Sequence, residues 1–392
     1  MFKDKIRKKD VKAIILFSFA IPIALIEKKK NKDLWLISER PGEARDNGYW
    51  LFKYIKEKQV NQKVRYVIKD NSCDKKRLES YGNVISFGSF KHYVTYLMAS
   101  VHASAHINSD SPNSRISNFL ETHGLLKNKR VFLQHGITKD KISFGYYNVS
   151  RADLFVCAAK PEYEFCKKEF GYPKGAVQLL GFSRFDGLGI CETKKQILLM
   201  PTWRAWLANL DKTEFIQSIY FKTYQSLLLN KRLQTILEKN KVTLLFYPHS
   251  DMQKFVSLFH TDSSNIQICN ADNYTVQQLL NESDFLLTDY SSVAFDMAYM
   301  GRPVCYYQFD YEEYRKGQHP EGYYSYEKHG FGPICLQEED IIKEISDVLQ
   351  NNFEAKQIYK QRQNEFFSLR DRNNCERIYK AIKEMRKDGG ID

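Results

Sequence analysis

The run VFLQHGITKDK sets His135 at the end of an apolar stretch, directly before Gly136 and close to Lys139 and Lys141. An imidazole with an ordinary pKa near ~6.5 is suited to taking a proton from an alcohol at neutral pH. Glycine lets the backbone turn and a substrate approach, and lysines meet phosphate oxygens. A loop histidine bonded to backbone is the plainer reading of the same residues. In DFLLTDYSSVAFDMAYMG an apolar strand runs into Asp289, Ser291 and Ser292 ahead of a helix. Helical N–H groups and two hydroxyls make an anion site there, although capping alone also puts serines at such a position. YPHS closes another apolar run and carries His249, which as imidazolium would hold a phosphate. MPTWR closes a further one with Arg204, a fixed cation able to bind phosphate bidentately. Four polar strand ends in succession point to a phosphorylated substrate more strongly than any one alone.

Other chemistries lack their residues. His102 and His106 fall on one face of a predicted strand, but zinc would need further ligands and only His123 is near. The chain has no G-x-S-x-G elbow, no G-x-x-x-x-G-K-[ST] and no G-x-G-x-x-G. Its aromatic residues sit in core-like runs rather than among basic clusters, which argues against nucleic acid. The eight cysteines are scattered without C-x-x-C spacing and read as small buried hydrophobes in a reducing compartment.

Strands predicted over 34–38, 64–68, 84–87, 101–107, 131–134, 153–157 and 177–180 alternate with helical stretches, forming one βαβ series. A second series has strands over 197–200, 243–247, 266–268, 284–288 and 304–306. With 392 residues, 43% of them apolar, the chain suits two domains and is not a disordered one. The expected fold is α/β, with two doubly wound Rossmann-like domains facing a central cleft. Ligands then bind at the carboxyl ends of the strands. The boundaries read as a basic and apolar segment 1–32, an α/β domain 33–182, a linker 183–195, a second α/β domain 196–350 and a helical segment 351–392.

The net charge of +12 points to an anionic partner. It is concentrated at the start, where Lys3, Lys5, Arg7, Lys8, Lys9 and Lys12 precede an apolar run 13–26 and Lys28, Lys29, Lys30 and Lys32 follow it. That run as a helix reaches about 21 Å, short of a hydrocarbon core of about 30 Å, and Pro22 would bend it. Two readings stand: a helix lying on an anionic membrane surface, or one docked on the first domain with a solvated basic flank.

Together the motifs resemble the CDP-glycerol:poly(glycerophosphate) glycerophosphotransferases of teichoic-acid and capsule synthesis. DNGYWLFKYI resembles the family's early helix, QHGITKDK its H-G-x-x-x-K segment, GFSRFD its G-x-x-R-x-D linker and MPTWR its P-T-W-R element. YPH resembles the second histidine motif. TDYSSVAFDMAYMGRPVCYYQFDYEEY, followed by GYYSYEKHGFGPIC, is similar to its most distinctive stretch. The resemblance implies a GT-B-like fold with an acceptor-side domain and a CDP-donor-side domain. It also implies transfer of a polyol phosphate from CDP-glycerol or CDP-ribitol to an acceptor hydroxyl, with release of CMP. His135 then takes the base role, with His249 as a second catalytic residue. Ser291, Ser292, Arg204, Thr202 and Lys139 fall at donor-diphosphate positions, and Asp289 and Gly136 orient their turns. No metal site is implied, though Mg2+ carried on the donor diphosphate is left open. The acceptor is expected to be lipid-linked or an oligosaccharide, and the location to be the inner face of a bacterial membrane. Ile137-Thr138 stands where many members have Thr-Pro, a departure on the acceptor side. A glycosyltransferase using a nucleotide-sugar, or a catalytically silent membrane-associated assembly protein, remain the alternatives.

Overall fold

Short leucine-, valine- and isoleucine-rich runs, buried on both faces, call for parallel sheets covered by helices. The computed structural model describes residues 7–317 and 320–388, grouped in two units. Lys3 and Lys5 of the basic flank lie outside the described residues. The first unit holds β1 (Trp35–Ser38), β2 (Val64–Ile68), β3 (Val84–Ser86), β4 (Val101–Ser104), β5 (Lys129–Phe132), β6 (Leu154–Cys157) and β7 (Val177–Leu179). They form one parallel sheet in the order β3-β2-β1-β4-β5-β6-β7. The second unit holds β8 (Gln196–Leu199), β9 (Thr243–Phe246), β10 (Ile266–Ile268), β11 (Phe285–Thr288), β12 (Val304–Tyr307) and β13 (Ile334–Cys335). Its parallel order is β10-β9-β8-β11-β12-β13. Both sheets are doubly wound, and the strand order reverses between β1 and β4 and between β8 and β11.

The unit boundaries differ from those expected. The first unit comprises residues 1–137, 143–186 and 371–392, and the second 138–142 and 187–370. Residues 183–186 thus belong to the first unit rather than to a linker. The C-terminal segment divides: its first part stays with the second unit, and the helix Asn374–Asp388 joins the first. There Tyr379 lies 5.3 Å from Trp35, ring to ring, and Lys383 Nζ bonds Asp33 Oδ2 at 2.7 Å.

The apolar N-terminal run is part of a longer helix, Lys8–Lys30, with Pro22 inside it. Ala13, Phe17, Ala20 and Ala24 form a buried stripe against the helix Phe90–Met98, where Phe17 meets Tyr93 edge-on at 4.8 Å. On the opposite side Val11, Ile14, Ile15, Phe19, Leu25 and Ile26 are exposed. The helix is therefore docked and still presents an apolar face. No helix among the described residues is long and apolar enough to cross a membrane. Six of the eight cysteines are buried, all eight are free, and Cys73 and Cys191 are exposed.

Candidate active site

In the first unit the chemistry gathers beyond β4 and β5. His135 follows β5 by three residues and His106 follows β4 by two. Their rings stack at 4.3 Å with 9° between planes. His135 Nδ1 lies 3.4 Å from the carbonyl oxygen of Ala105. A carbonyl only accepts, so this contact puts the proton on Nδ1 and leaves the Nε2 lone pair free, the form a general base needs. His135 keeps an exposed edge, and desolvation by the groups packed on its other side lowers its pKa, opposed by Asp46 and the Ala105 carbonyl and aided by Arg40 and Arg184. Burial also drives the pKa of His106 far down, with His135 next in effect, so this ring stays neutral. Its Nδ1 is buried without a hydrogen-bond partner.

Beyond β1, Glu39 supports this corner. Fully buried, it accepts from the backbone N–H of Arg45 at 2.9 Å, Asp46 at 2.9 Å and Tyr49 at 2.6 Å. These bonds fix the start of the helix Asn47–Lys58. Burial, and then Asp46, push the Glu39 carboxyl up to about 8. Asn47 Nδ2 donates to the carbonyl of Gln134 at 2.8 Å, next to His135. The left-handed residue of this turn is Gln134, at φ 59, so the turning role expected of Gly136 falls one residue before the histidine.

His106, Asn47 and Gln134 are the residues that sequence reasoning missed. The expected strand 101–107 hid His106 by pairing it with His102. The strand ends at Ser104, and His102 is instead buried, with Nδ1 2.7 Å from Asp110 Oδ2. A histidine just past the end of two neighbouring strands was the available signal.

In the second unit the site lies where the strand order reverses, the expected ligand position in a doubly wound sheet. Thr202 follows β8 and Asp289 follows β11, and the Thr202 N–H donates to Asp289 Oδ1 at 2.8 Å. The Thr202 hydroxyl is buried with no hydrogen-bond partner. Asp289 also accepts from its neighbour Tyr290 N at 2.6 Å and from Tyr224 OH at 3.2 Å. Ser291 and Ser292 are half-buried ahead of the short helix Val293–Tyr299. His249 follows β9; its Nδ1 accepts from Asp251 N at 3.2 Å and its ring stacks on Trp203 at 6.2 Å. Asp251 Oδ2 lies 3.5 Å from the same nitrogen, a carboxylate placed to support the imidazolium form.

Two expected phosphate contacts are placed elsewhere. Arg204 has 0% exposure. Its guanidinium bonds Asp310 through Nε at 2.7 Å and Nη2 at 3.0 Å, and Nη2 lies 2.9 Å from Asp289. The rings of Tyr220, Tyr290 and Tyr314 surround it at 5.0–5.3 Å. Nη1 also donates to the carbonyl of Thr202 at 2.8 Å, so Arg204 is held by protein on three sides and ties together the chain leaving β8, β11 and β12. Lys139 is likewise buried; its Nζ pairs with Asp140, which in turn takes Arg315 Nη1 at 3.1 Å. Burial lowers the Lys139 pKa while Asp140 opposes the shift. Among the described residues no group of three or more His, Cys, Asp or Glu side chains is arranged to hold a metal ion.

Comparison with known proteins adds a family profile described as CDP-Glycerol:Poly(glycerophosphate) glycerophosphotransferase, which matches residues 19–384. The minor teichoic acid biosynthesis protein GgaB of Bacillus subtilis (strain 168) is 34% identical over 98% of the chain and 43% of its own length. A teichoic acid glycerol-phosphate transferase of Staphylococcus aureus is 28% identical over 50% of the chain and 46% of its own. The chain thus spans less than half the length of these curated relatives. A solved structure of the wall teichoic acid polymerase TagF superposes with a TM-score of 0.66 at 17% identity, covering 97% of this chain and 96% of that one. A UDP-N-acetylglucosamine 2-epimerase structure from Listeria monocytogenes gives 0.57 at 14% identity, over 91% and 97%. These likenesses give the fold, a GT-B-like pair of α/β units.

Proposed function

Because the chain belongs to the CDP-glycerol:poly(glycerophosphate) glycerophosphotransferase family, we propose that it transfers a polyol phosphate, glycerol phosphate first, from a CDP-activated donor to a hydroxyl of a teichoic-acid-type acceptor. The acceptor oxygen attacks the β-phosphorus, the new P–O bond forms as the bond to CMP breaks, and CMP leaves with the electron pair. The acceptor proton passes to His135 Nε2. His249 and the hydroxyls of Ser291, Ser292 and Thr202 hold the diphosphate, where charge accumulates. Such positioned donors are worth about 10²–10³ in rate each. A magnesium ion would be carried by the donor diphosphate and would neutralise part of its charge.

The observation that carries this reading is the placement of a histidine just past a strand's carboxyl end in each unit, His135 after β5 and His249 after β9. His135, its Nδ1 facing the Ala105 carbonyl, offers a lone pair suited to a hydroxyl, and His249, beside Asp251, is suited as imidazolium to a phosphate. Incubating the protein with CDP-glycerol, CDP-ribitol, UDP-sugars and GDP-sugars and following the released nucleotide tests it. CMP from a CDP-polyol, dependent on added acceptor, is the expected result. UDP or GDP release from a nucleotide-sugar would replace this reading by glycosyl transfer.

The same reading has the acceptor presented on lipid, with the protein resting on the anionic bilayer face. The helix Lys8–Lys30 supports it. Its outward face is aliphatic and aromatic, its ends carry Lys8, Lys9, Lys12, Lys28, Lys29 and Lys30, and it is about 34 Å long. Lysines near such a surface contribute about 1 kcal/mol each. Phe19 and Leu25 are 66% and 63% exposed, so Phe19→Glu with Leu25→Glu leaves the core untouched. The double variant is expected to lose at least about tenfold in co-sedimentation with phosphatidylglycerol vesicles while melting like the parent. Undiminished vesicle binding would remove this face from the proposal.

A further inference from the structure

A left-handed backbone at a non-glycine residue is strained and persists only where its surroundings over-determine it. Gln134, directly before His135, is such a residue. Its side-chain Nε2 donates to the carbonyl of Val156 at 2.6 Å and to Glu162 Oε1 at 3.0 Å. Its own carbonyl accepts from Asn47 Nδ2 at 2.8 Å. These anchors are fixed in turn. Glu162 is fully buried and accepts from Ala158 N at 2.7 Å. Asn47 is also fully buried, donates again to the Leu133 carbonyl at 3.3 Å, and accepts through Oδ1 from Arg184 N at 3.0 Å. A backbone carbonyl and two side chains from separate elements thus hold residue 134 beside the proposed base, Val156 and Glu162 through its amide and Asn47 through its carbonyl, and none of the three bonds belongs to the strand ladder.

We propose that Gln134 is a positioning residue: its left-handed turn, locked by Val156, Glu162 and Asn47, aims the His135 imidazole onto His106 and keeps Nε2 free. An extended residue 134 would continue the strand, where successive side chains alternate faces, and His135 would lose its seat. The role rests on the phosphotransfer reading, but its test does not depend on turnover alone.

Gln134→Val puts a β-branched residue where φ is positive, whereas Gln134→Gly accepts the turn but lacks the amide. The first measurement is the titration of His135 by NMR of histidine-labelled protein, which needs no substrate. The second is CMP release across donor concentrations. In Gln134→Val the His135 midpoint is expected to rise toward 6.5 as the ring leaves its stack on His106 and loses the partial desolvation of that contact. Its kcat is expected to fall about 10–100-fold with donor KM nearly unchanged. Gln134→Gly should lie between it and the wild type on both measures. A valine variant with unmoved titration and full kcat overturns the proposal, as does lost activity without any change in titration. If Gln134→Val does not fold, the glycine variant decides, and a wild-type titration there overturns it. A wild type that releases no CMP from any CDP-polyol, combined with a shifted His135 titration in the variant, sinks the functional reading and upholds the positioning role.

Discussion

His135→Ala is expected to lower CMP release from a CDP-polyol by about 10²–10⁴-fold, the usual contribution of a general base. Donor binding should change little, because the diphosphate contacts assigned here come from His249, Ser291, Ser292 and Thr202. The pH dependence carries a sign. Desolvation, reinforced by Arg40 and Arg184, holds the His135 pKa below its ordinary 6.5 against Asp46. Most of the protein therefore has the neutral base at pH 7, and activity is lost as pH falls through that lowered value. The acid limb of kcat/KM should accordingly lie below pH 6.5 in the wild type and be absent from the residual rate of the alanine variant. An alanine variant with wild-type turnover would remove His135 from the chemistry while leaving the family membership intact.

Arg204→Met is expected to destabilise the second unit by about 3–5 kcal/mol, the cost of breaking a buried ion pair by removing one partner. The methionine fills much of the volume but leaves Asp289 and Asp310 facing a core without their cation. Adding Asp289→Asn and Asp310→Asn should recover part of the loss, since removing a whole buried charge set is far less costly than stranding one. Denaturant unfolding of the single and triple variants measures both effects. If Arg204→Met unfolds like the wild type and instead loses donor affinity, Arg204 is a phosphate ligand after all.

Strand positions were legible because parallel strands buried on both faces are short continuous apolar runs. Eleven of the thirteen were located to within a residue or two at each end. β4 was extended too far, from 101–104 to 101–107, and β13 escaped notice because two residues carry no periodicity. The strand-end rule also placed His135, His249, Thr202 and the Asp289–Ser292 stretch just past strand ends, where the structure has them. Arg204 was misread for a non-local reason. Whether an arginine at a strand end faces solvent or core depends on Asp289 and Asp310, respectively 85 and 106 positions later, and nothing in MPTWR announces them. Lys139 was misread similarly: Asp140 beside it was visible, but Arg315, which completes the cluster, was not. Gln134 illustrates a different limit, since a left-handed φ at glutamine has no signature in residue type.

The return of the helix Asn374–Asp388 to the first unit governs the timing of synthesis. All seven strands of that unit have emerged by residue 186, yet the segment that covers Trp35 and pairs with Asp33 begins at residue 371. A ribosome moving at about 5–20 residues per second needs roughly 10–40 s to cross the interval. Throughout that time the nascent sheet lacks its last helix, and all of β8–β13 is made before that helix is. The unit begun first is therefore finished last.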